Sequence, residues 1–524
     1  MLPSGLSRAV TILIVVSSSL TAMPAHAAAP EEIEQKLQAL QQQVDELRKE
    51  LERSRTPRGV TAAPPPVAPP SPPVVMTPSA SETAPPARAY GLGDFKLGGY
   101  GSTRFEASDL DRAGNTFTFR RFVLTGDATI GERLRSVVEI ELERLTEVEV
   151  ERGAPSEGGR RGFSQSLEGS DGSEISLEQA WMQFTLTDAL RFRAGMILVP
   201  LGRFNLNHDD NRWDLPRRSL VDRGVSVLPV KAAWSEVGMG FTGEIPAGQL
   251  GRVEYQVYVM NGVTLDSSLG TVARASGELE TEVEIKPRRG TANVDLKRDK
   301  AGAFRLAWSP ALGDEIGASA YYGRYTPDFL PSEALWAVAL DGKTTLGRFE
   351  LEGEYVLTRY EGITRVARGF ADAVAERELA AGTPLDVTVD FELADLATTK
   401  HGYWLEGRYR FFPDALRGSI FGRKLENPQF VVVTRWEQAW MQGLVRDITF
   451  SGGQLLHVTK ENRWIDRATL GFAYRPVPLV VFQLALERTW TNPGQSLGAV
   501  TNFLPARRSE DTANALLFGV AFGF

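Results

Sequence analysis

The chain has 524 residues, a formal net charge of −8, 42% hydrophobic residues, a mean hydropathy of −0.19 and no cysteine. Without cysteine there are no disulfides, thiolate metal sites or thiol catalysis, and the acidic balance excludes a general polyanion binder, so no nucleic-acid partner is expected. No run of 18 apolar residues follows the amino-terminal segment, which excludes a helical membrane protein but not a β-barrel, because alternation hides a barrel's lipid face from averages.

Residues 1–27 carry Arg8, a short apolar run and the small-x-small end Ala25-His26-Ala27. This pattern predicts a secretory signal peptide cleaved after Ala27. Over 28–55, Ile33, Leu37, Leu40, Val44, Leu47 and Leu51 recur at alternating spacings of four and three, the seam of a short periplasmic coiled coil. Such a helix is marginal alone and zips only where its carriers already associate; a single amphipathic helix lying on another surface is the alternative. Residues 56–89 follow, with eleven of the chain's 30 prolines. They predict an extended, unpacked spacer.

From residue 90 to the end, period-two segments recur at about 95–107, 116–130, 133–146, 174–187, 189–199, 234–245, 251–262, 301–309, 314–325, 333–342, 345–360, 401–412, 428–437, 467–476, 478–490 and 513–524. Sixteen such segments predict an all-β fold, a transmembrane antiparallel barrel over 90–524. One side of each is apolar, as with Phe122 and Leu124 or Phe349 and Leu351. The other side is charged: Arg121, Arg191, Arg193, Glu139, Glu141, Glu143 and the run Glu350, Glu352, Glu354. Facing a solid core, such charges would be costly unless paired; a water-filled lumen accepts them.

Connection lengths point the same way. Links after even strands are short and links after odd strands are usually long, the alternation of periplasmic turns and external loops. The exception is 413–427, long after an even strand. The last strand closes on alternate large apolar residues, Leu516, Phe518, Val520, Phe522 and the carboxyl-terminal Phe524. It resembles the closing strand of bacterial outer-membrane barrels, in which Phe518, Phe522 and Phe524 would form the signal read by the barrel assembly machinery.

Three stretches resemble the phosphate-selective porin O and P family: Gly98-Gly99-Tyr100-Gly101-Ser102-Thr103-Arg104-Phe105-Glu106; Ile175–Trp181 leading through Arg193-Ala194-Gly195-Met196 to Val199-Pro200-Leu201-Gly202-Arg203-Phe204; and Tyr258-Val259-Met260-Asn261-Gly262. The resemblance implies a trimeric, sixteen-stranded outer-membrane channel in a Gram-negative-type bacterium. It also implies a constriction built partly by the third external loop, with arginines along the path.

By strand count that loop is 200–233. It holds Arg203, Arg212, Arg217, Arg218, Arg223 and Lys231 against Asp209, Asp210, Asp214 and Asp222. Arginine's planar fork suits phosphate and carboxylate, so the basic residues, with Asp209 and Asp210, are the candidate constriction. Arg104, Arg121, Arg191, Arg193, Glu139 and Glu141 are the candidate lumen wall. The competing reading is that the arginines pair with the loop's own aspartates and brace it. The glutamate-rich strands opposite weaken a simple anion preference by setting a transverse field.

The expected function is therefore passive diffusion of small hydrophilic solutes, with an anion or phosphate preference as its finer form and outer-membrane lipid around the barrel. The alternative is an anchor tethering the envelope to the cell wall through the coiled coil and spacer. No cofactor, metal or enzymatic activity is expected. His208, His401 and His457 are the histidines left after signal cleavage, and none sits in a nucleophile elbow or at metal-ligand spacing.

Overall fold

The computed structural model describes residues 94–109, 115–143, 148–155, 161–167, 174–222, 227–273, 279–290, 297–380, 388–393, 396–451, 454–493 and 511–524. The expected signal peptide, coiled coil and spacer lie outside these residues, as does Arg223.

Sixteen strands pair each with the next and form one antiparallel cylinder. They are β1 (Asp94–Ser108), β2 (Thr116–Ile130), β3 (Leu134–Glu143), β4 (Glu174–Thr187), β5 (Leu190–Leu198), β6 (Ser235–Pro246), β7 (Arg252–Met260) and β8 (Ala301–Ser309). The second half continues with β9 (Glu315–Arg324), β10 (Ala334–Leu346), β11 (Phe349–Tyr360), β12 (Ala397–Phe411), β13 (Gln429–Ser451), β14 (Gln454–Val477), β15 (Val480–Thr491) and β16 (Thr512–Gly523). Pairing of β1 with β16, from Tyr100 opposite Gly523 to Ser108 opposite Ala515, closes the barrel. All sixteen expected strands are present.

The closure explains the glycines of β1. Gly99 N donates to Phe524 O at 3.2 Å, and Phe524 N donates to Gly99 O at 3.1 Å. A Cβ at Gly99 would lie 2.1 Å from Val123 O, and one at Gly101 would lie 2.7 Å from the Phe522 ring. The Phe524 ring stacks on Phe122 with centroids 5.7 Å apart. Glycines on one strand thus make room for the aromatic side chains of the other, and Phe518, Phe522 and Phe524 all face outward.

Outward residues form an aliphatic band between two aromatic levels. At the short-turn end Phe349 meets Tyr409 and Phe430 meets Tyr474; at the long-loop end Trp436 meets Trp490 and His401 stacks on Trp440. Along β14, Tyr474 and Trp464 are ten residues apart, ~33 Å of strand. At the usual barrel tilt this is a height of roughly 25 Å, that of a membrane barrel's apolar belt.

Three expectations about connections change. The segment 438–466, expected as a loop, is mostly strand, because β13 and β14 run on as a hairpin well past the barrel rim. The tenth turn falls at Gly347 rather than 341–344: Gly347 has φ +64°, the left-handed conformation glycine adopts freely, while Lys343 stays in strand and pairs with Glu350 at 3.1 Å. The long link 412–428 folds onto the outside of the rim, where Phe421 packs against Phe430 and Tyr474 and Tyr474 Oη donates to Phe421 O at 2.6 Å. Its length thereby extends the aromatic level.

The long loops carry structure of their own. Thr264–Ala273 and Leu279–Arg288 form a hairpin that joins Thr388–Leu393, which in turn pairs with the extended end of β13. Helix α2 (Ile363–Ala380) presents Val366, Phe370 and Val374 at helical spacing and packs in one apolar cluster with Val283, Ile285, Val389, Ile448 and Phe450. Helix α1 (Gly202–Leu206) is a single turn within the third long loop.

Candidate functional site: a segment folded into the lumen

The connection from β5 to β6 leaves one wall, crosses the barrel interior and returns. Its start is fixed by Gly202, at φ +71°, where a Cβ would lie 2.0 Å from Glu354 Oε1. Gly202 N donates to Ser319 Oγ at 2.9 Å and Phe204 N to Glu354 Oε2 at 2.8 Å, seating α1 against β9 and β11. That wall suits a close approach because its inward residues are small, including Ala303, Gly317, Ser319 and Ala339.

Trp213 lies at the centre. It stacks on Phe204 at 4.9 Å, meets Trp404 edge-on at 5.5 Å, and receives the Arg435 guanidinium at 5.3 Å from its ring centroid. Beyond it the segment reaches the far wall. Leu215 packs with Val433, Ala485 and Leu517, and Gly471 and Gly519 leave the space that Leu215 and Pro216 occupy. On the return, Thr358 Oγ1 donates to Val227 O at 2.7 Å.

Polar contacts hold the segment to two separate stretches of the wall through two aspartates. Asp210 receives Ser102 Oγ at 2.6 Å and lies 3.3 Å from Arg120 and 3.7 Å from Arg121. A β-bulge makes this possible: the β1–β2 register shifts after Ser102, so the consecutive residues Arg120 and Arg121 both reach the same carboxylate. Asp214 lies 2.7 Å from Arg475, 3.0 Å from Arg410 and 3.4 Å from Arg408, on β14 and β12. Two arginines and a glutamine of the far wall also cap the segment's carbonyls: Arg475 donates to Asn211 O at 2.9 Å, Arg435 to Arg217 O at 3.1 Å, and Gln483 to Trp213 O at 2.8 Å.

The expected constriction residues are therefore spread over distinct environments. Arg203 pairs with Glu315 at 2.7 Å and also with Glu352. Arg212 pairs with Asp209 at 2.8 Å and is the most exposed of the loop's paired arginines, its side chain 58% accessible. Arg217 is buried between Glu106 and Glu487, 3.0 Å from the latter. Arg218, also buried, pairs with Asp210 and Asp222 at 3.4 Å each and donates to Ala232 O at 2.8 Å. Lys231 is exposed. Arginines 212 and 218 thus pair within the loop, whereas 203 and 217 pair with the wall.

Of the wall residues, Arg121 bonds Glu141 at 2.7 Å and Arg104 bonds Glu106 at 3.1 Å. Glu139 accepts from Gln179. Arg193 lies 4.1 Å above the Trp181 ring and donates to Gln183 at 2.8 Å, with Arg191 nearby on the same strand.

Sequence reasoning missed His208 as part of this assembly. Its Nδ1–H donates to Asn205 O at 2.9 Å, and its Nε2 lies 3.6 Å from Glu178 and 3.7 Å from Asp209. Burial opposes its positive charge, yet the Glu178 carboxylate, with Asp209 behind it, raises the imidazolium to about 9. Glu178 reaches inward because a second bulge, in the β3–β4 register, makes it the extra residue. No periodicity signals a bulge. The far-wall partners Arg408, Arg435, Arg467, Arg475 and Glu487 do lie at alternate positions of their strands and were open to the same period-two reading.

The water-filled lumen expected from the sequence is thus occupied at the height of this segment. Leu201, Phe204, Leu215, Leu220, Val221 and Leu228 are each at most 3% exposed. Two recesses open at the short-turn end. One, ≈380 Å³, is lined by Tyr100, Glu139, Asp209, Arg212 and Arg475; the other, ≈480 Å³, by Arg203, Glu315 and Lys343. Both end on the inward segment.

No family model matches the chain. A curated protein of Aquifex aeolicus (strain VF5), described as uncharacterized, is 21% identical over 225 residues, so the match spans 43% of this chain and 43% of that relative. Among solved structures, Salmonella typhi OmpF in complex with daunomycin has a TM-score of 0.44 at 10% identity, covering 83% of this chain and 98% of that one. The outer membrane channel DcaP of Acinetobacter baumannii has 0.41 at 8%, covering 82% and 97%. An anion-selective porin from Comamonas acidovorans has 0.40 at 11%, covering 82% and 99%.

Proposed function

We propose that this chain is an outer-membrane porin of a Gram-negative-type bacterium, passing small hydrophilic solutes by diffusion through a lumen that residues 199–234 narrow. The observation that carries the proposal is the closed cylinder whose outward side is apolar between two aromatic levels while its inward side is charged on most strands. A soluble protein gains nothing from that inversion, whereas a bilayer outside and water-accessible recesses inside account for both faces. In this reading the short turns and the amino-terminal segment face the periplasm, the chain assembles as a trimer through the barrel assembly machinery, and Phe518, Phe522 and Phe524 carry the signal.

Selectivity is the finer part of the proposal. Arg212 and Arg203 border the two recesses and are the basic residues a solute meets at the periplasmic end. Each faces carboxylates, Asp209 and Glu139 in one recess and Glu315 in the other, which supports a modest anion or phosphate preference rather than a strict one. Single-channel recording of the full-length protein in planar bilayers tests the reading. Small, discrete steps are expected, with reversal potentials in chloride and phosphate gradients giving the selectivity.

A specific observation favours a second reading. The apolar packing of Leu215, Leu220 and Val221 inside the barrel suits a closed anchor as well as a narrow channel, with residues 28–89 tethering it to the cell wall. Correctly folded barrels that never conduct, yet co-sediment with cell wall only when residues 28–89 are present, would replace the channel with the anchor.

A further inference from the structure

The outward face of β11 to β16 is not a uniform apolar wall. Cross-strand registers place Gly407 beside Thr434, and Ala468 beside Arg488 and diagonal to Thr434. Three small residues therefore form an oblique floor that ends at a cation. A Cβ at Gly407 would meet only Thr434 Oγ1, at 3.6 Å, so the floor is open there. Leu405 and Trp436 rise on its long-loop side, and Leu351, Leu470 and Leu486 on the other. Together they enclose a trough of ≈840 Å³.

Arg488 also lines a second recess of ≈350 Å³, toward the long loops, with Trp464, Trp490 and Thr512 and with the carboxylate residue Asp511. Just above the trough a polar row crosses the same strands: Tyr403 Oη donates to Gln438 Oε1 at 2.5 Å, and Gln438 Nε2 donates to Asp466 Oδ1 at 2.9 Å. Such a row marks where hydrocarbon gives way to headgroups. Neighbouring acids are already engaged, Asp466 with Gln438, Asp109 with Asn514 and Asp511 with the Thr512 hydroxyl at 3.3 Å. Among the described residues no carboxylate pairs with Arg488. An apolar trough, a single cation at its end and a polar recess beyond form the outline of an amphiphile.

We propose that this face binds one phosphate-bearing glycolipid of the external leaflet, an acyl chain lying along Gly407, Thr434 and Ala468 and its phosphate paired with Arg488. The inference rests on the membrane-barrel reading. Charge complementarity selects the occupant: a second copy of the barrel would cover the trough with an apolar face and leave Arg488 without an anion, whereas phosphate oxygens accept paired, charge-assisted hydrogen bonds from the planar guanidinium.

Native mass spectrometry of the full-length protein, with added lipid A or a neutral diacylglycerol of matched chain length, tests this. One bound lipid A is expected, with about tenfold weaker retention of diacylglycerol, the loss of one charge-assisted contact. Arg488→Ala should reduce lipid A retention to the diacylglycerol level, and Ala468→Phe, which fills the floor, should abolish both. Equal retention by wild type and both variants overturns the proposal, as does an oligomer that Ala468→Phe dissociates, which would assign the trough to a second copy. Heat-modifiable electrophoresis and insertion into vesicles are read on the same samples; a chain that does not insert overturns the membrane reading itself rather than the lipid site.

Discussion

Replacing Asp214 with alanine removes the carboxylate shared by three far-wall arginines. Stranding a buried charge by deleting its partner costs ~3–5 kcal/mol. The low end applies here, because each arginine keeps other acceptors: Arg408 retains Glu350, Glu352 and Glu406, Arg410 lies 3.6 Å from Glu350, and Arg475 still donates to Trp213 O and Asn211 O. A cost of about 3 kcal/mol falls on the docked state of the inward segment and shifts its equilibrium roughly 150-fold. An undocked state populated at ~0.1%, the lower end for a functional minor conformer, would rise to roughly a tenth of molecules. In single-channel recordings the variant should therefore show a second, larger conductance level that the wild type rarely visits. The barrel itself should stay intact by heat-modifiable electrophoresis, since no strand pairing involves Asp214. A folded Asp214→Ala barrel with wild-type conductance and noise would refute the view that this carboxylate holds the segment down.

Other expectations test other parts. Gly99→Ala places a Cβ within 2.1 Å of Val123 O at the closing seam, and deleting Phe524 removes that seam's last hydrogen bonds; both should lower the yield of folded barrel, and wild-type yields would reject the seam's role in assembly. Arg212→Ala, at the mouth of a recess, should lower the anion-over-cation ratio in reversal-potential measurements, and an unchanged ratio would remove it from the solute path. Deleting residues 31–55 should leave single-channel conductance intact while loosening the oligomer, and loss of current would contradict the separation of the two parts. His208 supplies a pH test. Its folded value, about 9, is raised above the ordinary 6.5, so its stabilising contribution is full below about 6.5 and lost as pH rises through about 9. Conductance should accordingly increase between pH 7 and 10 in the wild type, and His208→Gln should abolish that change.

Much of the barrel is legible because its physics repeats every two residues. Phe122 and Leu124 outside, Arg121 and Thr125 inside, and a terminal run ending at Phe524 leave little freedom in how strands face. Loop interiors escape that logic. The hairpin continuing β13 and β14 past the rim is masked because register shifts after Met441, Val445 and Thr449 break its alternation, and its apolar residues Leu444, Ile448 and Phe450 pack on other loop elements rather than facing lipid. The inward segment is less legible still: its composition reveals six bases and four acids, but which wall each meets depends on where a 36-residue connection lies in three dimensions. The bulges that aim Arg120 and Glu178 inward add a further obstacle, because each shifts the alternation by one residue at the place where the contact forms. Gly202 was visible as part of a motif, whereas its reason, the closeness of Glu354, required the fold.

The packed interior bears directly on how such a barrel could conduct. Strands are joined by continuous backbone hydrogen bonding, so widening the cylinder would break many ladder bonds together. The inward segment is fixed differently, by side chains: Asp210 to β1 and β2, Asp214 to β12 and β14, and Leu215 in a small apolar site on β13, β15 and β16. These attachments lie within six consecutive residues, whereas the segment's two ends leave from the adjacent strands β5 and β6. Releasing the middle therefore means exchanging these ion pairs and the neighbouring ones of Arg217 with Glu106 and Glu487, and giving up the apolar contacts of Trp213 and Leu215, with no ladder bond broken, and the ends already lie on the same side of the barrel. Opening is then cheapest by withdrawal of residues 210–215 toward that side, and a solute path should first appear against the wall of β13 to β16, whose inward side chains Val433, Ala485 and Leu517 are apolar, between the arginines of β14 and those of β2.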